Sequence, residues 1–412
     1  MRLSTAILLL AFSAPTFAGR ALINPDQVLE IDGRKTFLIG FIMPPAPGAT
    51  TPWGKTGIQE LRDAGATFLR TGVMGKEFTW DNQATWDREQ QWLDEAAKAG
   101  MYCMPYLREA GSIQDADREA LLRKIISRFK DHPAMGAYYG FDEPQWVKHP
   151  VEPMRKAYQI IKEMDPNHPV WVNHAPRGAV EELQPYNITC DATGMDVYPI
   201  SYPPGVHSID TNREISMVGD FTDRIMRVAD GEKPVWMCLQ IAWSGVIKPG
   251  KTLRFPTFPQ QRFMTYQAII NGARGLIYFG GQLPASLNER DRQYGWNWTF
   301  WQKVLRPVIE EIGANSPLYP ALVAPASTIQ VKPTSSTNLE TCVREVGNQI
   351  FILACKREGG TENISLQGLP STEETAEVMF ESPRRVTIKN ATLTDWFAPF
   401  DVHVYCLKRK TP

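Results

Sequence analysis

The chain has 412 residues, with 44 Lys and Arg against 45 Asp and Glu, a formal net charge of -1 and 43% hydrophobic residues. That length accommodates one large domain and a small one, and the apolar fraction supports a proper core. A near-neutral balance excludes the electrostatic footprint of a nucleic-acid binder, and no polybasic run marks a membrane surface.

Met1-Arg2, an apolar run from Leu3 and the small residue Ala18 read as a secretory signal over residues 1–18. Its apolar core is too short to span a bilayer, and no later segment is long enough, so no integral membrane segment is expected after its removal. The expected location is secreted or periplasmic.

From there, short apolar runs alternate with helical patterns. The runs are Phe37–Met43, Thr67–Val73, Met101–Leu107, Ala134–Phe141, Val170–Asn173, Thr193–Val197, Val235–Ile241 and Leu276–Phe279. Between them lie stripes of period near 3.6, such as Leu122, Ile125, Ile126 and Phe129. Thr257-Phe258-Pro259-Gln260 offers a capping box, and Gly100 and Gly272 are placed to end helices. Eight strand–helix units predict an α/β fold, a (β/α)8 barrel over residues 19–315, with a last helix at Trp298–Ile312 closed by Gly313. A doubly wound sheet is the alternative, but no Gly-x-Gly-x-x-Gly turn follows the first run.

After about Ser316 the texture changes to short alternating runs at Thr328–Val331, Glu340–Val346, Gln349–Cys355, Ala376–Phe380 and His403–Leu407. Gly, Pro, Asn and Ser separate them, which predicts an antiparallel β-sandwich over residues 316–412. The six cysteines form no Cys-x-x-Cys pair. Cys342 and Cys355 flank a hairpin turn at Gly347-Asn348, where export permits a bridge. The histidines are scattered without metal-ligand spacing, so neither a metal nor a cofactor is expected.

Barrel enzymes carry their chemistry at the carboxyl ends of the strands. The fourth run ends in Phe141-Asp142-Glu143-Pro144, two acids at the end of a buried apolar strand that proline terminates. Burying acids there costs free energy unless something uses or pairs them. The second run brings Arg70, the fifth Asn173 and the sixth Asp196 and Tyr198; the seventh ends in Gln240 and Trp243. Trp296 and Trp298 sit in the long loop after the eighth. Indole faces stack on the apolar faces of sugar rings, so Trp80, Trp146, Trp243, Trp296 and Trp298 are candidate cleft residues.

Arg70 and the Phe-Asp-Glu-Pro stretch resemble the glycoside hydrolases of clan A, which are (β/α)8 barrels with catalytic carboxylates after strands four and seven. The resemblance implies a carbohydrate substrate and a glycosidase activity. It makes Glu143 the acid/base and sets Asp142 at the position of an asparagine that touches a substrate hydroxyl. Arg70 matches the strand-two arginine that supports the nucleophile. The departure is at strand seven, where Gln240 stands and no acid occurs from Pro234 to Ile247. An amide cannot form the glycosyl–enzyme ester of a retaining double displacement. Three accounts remain. In the first, Asp196 is the base of an inverting pair, which wants it about 6.5–9.5 Å from Glu143. In the second, the substrate brings its own nucleophile, oriented by Gln240. In the third, the barrel binds sugar without turnover. A lyase or transglycosylase also uses a positioned acid or base. The substrate-binding set is Arg70, Asn173, Tyr198, Gln240, Trp243, Trp296 and Trp298, around catalytic Glu143, Asp142 and Asp196. The sequence sets no oligomeric state.

Overall fold

The computed structural model describes residues 19–75, 77–200, 210–242, 254–334 and 338–410; the expected signal over residues 1–18 and Trp243 lie outside them. Among the described residues no helix is long and apolar enough to cross a membrane.

The first element is one that the periodicity missed: an antiparallel sheet of β1 (Ala21–Ile23), β2 (Leu29–Ile31) and β3 (Arg34–Thr36). Asp32 and Gly33 both take positive φ, as a two-residue type I′ hairpin requires. Ala21, Leu29 and Ile31 join the apolar cluster that fills the barrel. The Ala21 amide donates to the Asn167 carbonyl just before the fifth barrel strand, so this sheet floors the amino end.

Above it stands a closed parallel barrel of β4 (Leu38–Ile42), β5 (Phe68–Gly72), β6 (Tyr102–Tyr106), β7 (Tyr138–Asp142), β8 (Val170–His174), β9 (Ala192–Val197), β10 (Trp236–Gln240) and β11 (Gly275–Phe279). All eight strands fall on the expected apolar runs. Trp171 and Trp236 are fully buried inside, and glycines make room for them. A Cβ on Gly194 would lie 2.0 Å from the Trp236 carbonyl oxygen and 2.7 Å from the Trp171 Nε1. Large and small residues thus interlock across the interior at native density.

One irregularity positions the site. Along β7 and β8, Tyr138 pairs with Val170 and Tyr139 with Trp171, but then Phe141 pairs with Val172 and Asp142 with Asn173. Gly140 is the extra residue of a bulge. Tyr139 points into the barrel, so strict alternation would send Phe141 inward and Asp142 out. The bulge reverses this: Phe141 packs outside with Val172 and on the His149 ring at 4.3 Å, and Asp142 turns in to the Tyr139 hydroxyl. The Gly140 carbonyl is seated against Gly111, where a Cβ would come within 2.0 Å of it.

The expected last helix is continuous from Trp298 to Ile312 but widens into a π turn at Trp301–Leu305. Pro307 has no N–H, and its ring crowds the carbonyl four residues back, which the wider turn relieves.

The carboxyl-terminal part is an eight-stranded antiparallel sheet in the order β12 (Lys332–Pro333), β15 (Glu362–Gln367), β18 (Thr392–Phe397), β17 (Arg384–Lys389), β16 (Thr375–Met379), β19 (Val402–Lys408), β14 (Gln349–Lys356) and β13 (Leu339–Val346). It curls over its own core, in which Ile350 and Ile352 of β14 meet Ile364 of β15 and Leu393 of β18. The alternate residues Phe351, Leu353 and Cys355 pack on the barrel side. This is the sandwich expected, with β15, β17 and β18 added. Those three were illegible because each mixes polar and partly exposed residues with few buried apolar ones: β17 has no fully buried residue and β15 and β18 have two each. The run Thr328–Val331 is not a strand; β12 follows it. Cys342 and Cys355 are free thiols, paired across the hairpin with Leu353 and Glu340 rather than with each other. Arg262 ties the two parts together, with Nε 2.8 Å from Glu311 and Nη1 donating to the Val402 carbonyl at 2.7 Å.

The bulge yields a test. Gly111→Ala forces a methyl into the Gly140 carbonyl and is expected to cost about 1–3 kcal/mol, whereas Gly360→Ala, which meets nothing within 4 Å, should change stability by no more than about 0.5 kcal/mol. Urea titration of both variants checks this; equal stabilities would show that the contact is not rigid.

Candidate active site

Three carboxyl side chains meet at the carboxyl ends of β7 and β9. Because β8 alternates, Trp171 and Asn173 face inward, and Asn173 is only 2% exposed. Its Nδ2 donates to Asp142 Oδ1 and to Asp196 Oδ1, each at 3.1 Å. Asp142 Oδ1 also accepts the Tyr139 hydroxyl. Glu143 follows directly, at a φ of 49° that a non-glycine residue adopts only under constraint. Its backbone N–H is fixed to the Asn173 carbonyl at 2.8 Å, and its side chain hydrogen-bonds to Asp196.

Electrostatics follow from this crowding. Burial, then the negative charge of Asp142, pushes the Glu143 carboxyl up to about 7, opposed by the Asp196 hydrogen bond and by Arg177. Burial, then Glu143 and Asp142, holds Asp196 well above the usual carboxylate range against the Asn173 hydrogen bond. Two carboxyl groups in hydrogen-bond contact need a proton between them. At neutral pH the cluster therefore keeps an acidic proton at the barrel mouth.

Arg70 is brought close but forms no ion pair among the described residues. Its guanidinium lies over the Tyr106 ring at 4.6 Å and near that of Tyr139 at 5.4 Å, with Nη1 donating to the Val73 carbonyl at 3.0 Å. The β5 end that carries it is anchored by Glu89, a fully buried acid unnoticed in the sequence because it sits mid-helix. Glu89 accepts from Thr71 Oγ1 at 2.7 Å and the Gly72 amide at 2.6 Å, and burial pushes it up to about 7.

Several expected residues lie elsewhere. Asp196 touches Glu143, which leaves no space for a sugar and a water between them; an inverting pair made of these two acids is geometrically closed. Gln240 does not face the cleft. It is fully buried, its Oε1 accepting the Ile200 amide and its Nε2 donating to the Ile200 carbonyl, both at 2.8 Å. Trp296 and Trp298 are fully buried in the packing around the last helix, Trp296 donating to the Met43 carbonyl at 2.9 Å. The flanking polar residues of that loop suggested exposure, but the indoles turn inward to cover the β4 end. Trp80 is likewise buried. Tyr198 lines the interior, its hydroxyl 3.4 Å from the Cys238 sulfur and its ring on Phe279. The expectation for Trp243 falls on a residue outside the described ones.

A groove of about 590 Å³ runs between the loops after β7 and β8 and the helix that carries Arg224 and Arg227, lined by Gln145, Trp146, Arg177 and Gly178 among others; it starts two residues past Glu143, and none of the site's three carboxyl groups lines it. Trp146 is 49% exposed, with the Arg177 guanidinium 4.0 Å from its ring centre. Arg177 escaped the sequence reading, which stopped at Asn173-His174; a cation three residues past a strand end, in the loop facing the acids, was the signal available.

Because Gln240 serves the Ile200 backbone, Gln240→Leu leaves two buried polar groups unpaired and is expected to cost about 2–4 kcal/mol. Thermal unfolding checks it; an unchanged midpoint would free Gln240 for another role.

No protein-family model and no curated protein matches the sequence. Solved structures do match. A glycoside hydrolase aligns with a TM-score of 0.65 at 13% identity, covering 96% of this chain and 98% of its own. A glycoside hydrolase family 5 protein from Bacteroides vulgatus gives 0.61 at 12% identity, covering 95% and 94%. A glycoside hydrolase family 30 xylanase from Clostridium acetobutylicum gives 0.51 at 12% identity, covering 90% and 95%. At such identity the likeness is one of fold: this chain has the architecture of these glycoside hydrolases, a closed parallel barrel followed by an antiparallel sheet.

Proposed function

We propose that this protein hydrolyses O-glycosidic bonds in an oligo- or polysaccharide, with Glu143 as general acid, and that its leader takes it outside the cytoplasm. The observation that carries the reading is the hydrogen-bonded pair of carboxyl groups, Glu143 and Asp196, held at the mouth of a barrel whose architecture glycoside hydrolases share. Below about pH 7, the value to which it is pushed, the Glu143 carboxyl carries a proton and delivers it to the departing glycosidic oxygen, which makes the sugar a viable leaving group. Asp196, held protonated well above the usual carboxylate range, donates to Glu143 and stabilises the carboxylate left there after transfer. Asn173 locks both aspartates in place. Trp146 and Arg177 offer a surface for a neighbouring sugar beside the acid.

A second reading, a carbohydrate-binding barrel without turnover, draws support from Gln240, which stands at the strand-seven end and is committed to Ile200. A glycan panel with the wild type and Glu143→Gln separates the two. The enzyme reading expects turnover that the substitution lowers about 10²–10⁴-fold. Binding retained by both proteins with turnover in neither supports the binder.

The acid must be protonated, so kcat/KM is expected to fall as pH rises above about 7, the value to which Glu143 is pushed. Asp142 is the second cause of that elevation, so Asp142→Asn should move the falling limb to lower pH. A pH–rate profile measures both, and an alkaline limb that Asp142→Asn leaves in place would remove Asp142 from the tuning of the acid.

A further inference from the structure

A glycosidase with one acid still needs a nucleophile at the anomeric carbon, and the side of the mouth opposite β7 supplies none. Across the barrel from β7 stand β10, β11 and β4. The loops after β4 (residues 43–56) and after β10 (residues 241–257) contain no Asp or Glu in their sequence. The loop after β11 has two. Glu289 is exposed in the first turn of a short helix, and Asp291 is buried, accepting from Asn288 and from the Thr299 amide and hydroxyl at 2.9–3.1 Å. Gln240 is committed to Ile200.

On the near side, Asp142 has an oxygen to spare. Its Oδ1 accepts from Tyr139 and Asn173, while among the described residues nothing hydrogen-bonds to Oδ2, and the side chain is partly exposed. Asn173, 98% buried beside it, has an Oδ1 without a partner, and the buried Arg70 Nε likewise. Beside the free Asp142 Oδ2 the site therefore holds polar atoms to which no group of the described residues is bonded. A carboxylate only accepts hydrogen bonds, so the group received by Asp142 must donate one.

On the reading that this site cleaves glycosides, we infer that its substrates carry a 2-acylamino group, as N-acetylhexosamines do, and that the carbonyl oxygen of this group is the nucleophile, with Asp142 Oδ2 accepting its N–H. A 2-hydroxyl also donates, but closing on C1 it makes a strained three-membered ring; the acylamino carbonyl closes a five-membered one. In the first step the carbonyl oxygen bonds to C1 and the C1–O bond to the leaving group breaks. The Glu143 proton passes to that oxygen, and Asp142 balances the positive charge on the resulting oxazolinium. In the second step Glu143, now a carboxylate, takes a proton from water as the water oxygen bonds to C1. The C1–O bond of the ring breaks, which restores the acylamino group and the protonated acid. Two displacements retain the anomeric configuration without a nucleophile from the protein.

The test compares 2-acetamido oligosaccharides with counterparts that differ only by a 2-hydroxyl. The expected result is a kcat/KM at least about 10³-fold higher for the acetamido member. Retention by proton NMR at early times, and competitive inhibition by a 1,2-fused thiazoline analogue of the acetamido sugar, are also expected. A trifluoroacetamido substrate, with a less nucleophilic carbonyl, should slow the wild type at least 10-fold. Asp142→Asn, which keeps an Oδ1 acceptor for Tyr139 and Asn173, should lose kcat on acetamido substrates while its unfolding midpoint stays near that of the wild type. Comparable turnover of the hydroxyl member, or inversion, overturns the inference and leaves the glycosidase reading standing. No turnover of any sugar overturns the glycosidase reading and this inference with it.

Discussion

A hydrogen bond between two carboxyl groups exists only while a proton lies between them, and the chemistry available to this protein depends on that bond. Glu143 and Asp196 come from strands separated by β8, and neither would hold a proton at neutral pH in water. Brought together in a poorly hydrated mouth, with the charge of Asp142 alongside, they retain one. The arrangement is costly, and the surrounding structure offsets the cost with Asn173, which bonds both aspartates, and with the cation of Arg177 facing Glu143.

The fold makes this arrangement rigid at both ends. Below, the amino-terminal sheet floors the barrel and Trp171 and Trp236 fill it, so the interior is a packed core and only the upper end is open to chemistry. To one side, the carboxyl-terminal sheet is bound through Arg262, Glu311 and the outward residues of β14, far from the acids in the layout of the chain. Between them the Gly140 bulge decides which way the Asp142 side chain points. A single extra residue in β7 exchanges a phenylalanine for an aspartate at the mouth.

Much of this was legible in the residues. The eight barrel strands announced themselves as apolar runs because both faces of each are buried, one by the interior and one by helices. Glu143 and Asp142 stood out because acids seldom close such a run. The residues that misled were those whose surroundings come from distant sequence. Trp296 and Trp298 looked like a sugar platform on a loop, yet the β4 end needed covering. Gln240 looked like a substrate contact at a strand tip, yet the backbone of Ile200, forty residues away, needed both of its amide atoms. Arg177 and the groove beside Trp146 appear only when the loops after β7 and β8 are laid together.

By itself, the order of residues determined the strand–helix alternation, the closed barrel, the change to antiparallel sheet and the identity of the acid at the end of β7, because burial periodicity and strand-ending residues are local properties. Tertiary structure alone decided the inward turn of Asp142, the contact of Glu143 with Asp196, and the diversion of Gln240, Asp291 and the two tryptophans into structural roles. Side-chain direction depends on register, and register in a closed barrel is a property of all its strands together; a carboxyl proton depends on which charges face it across space, which no single strand specifies.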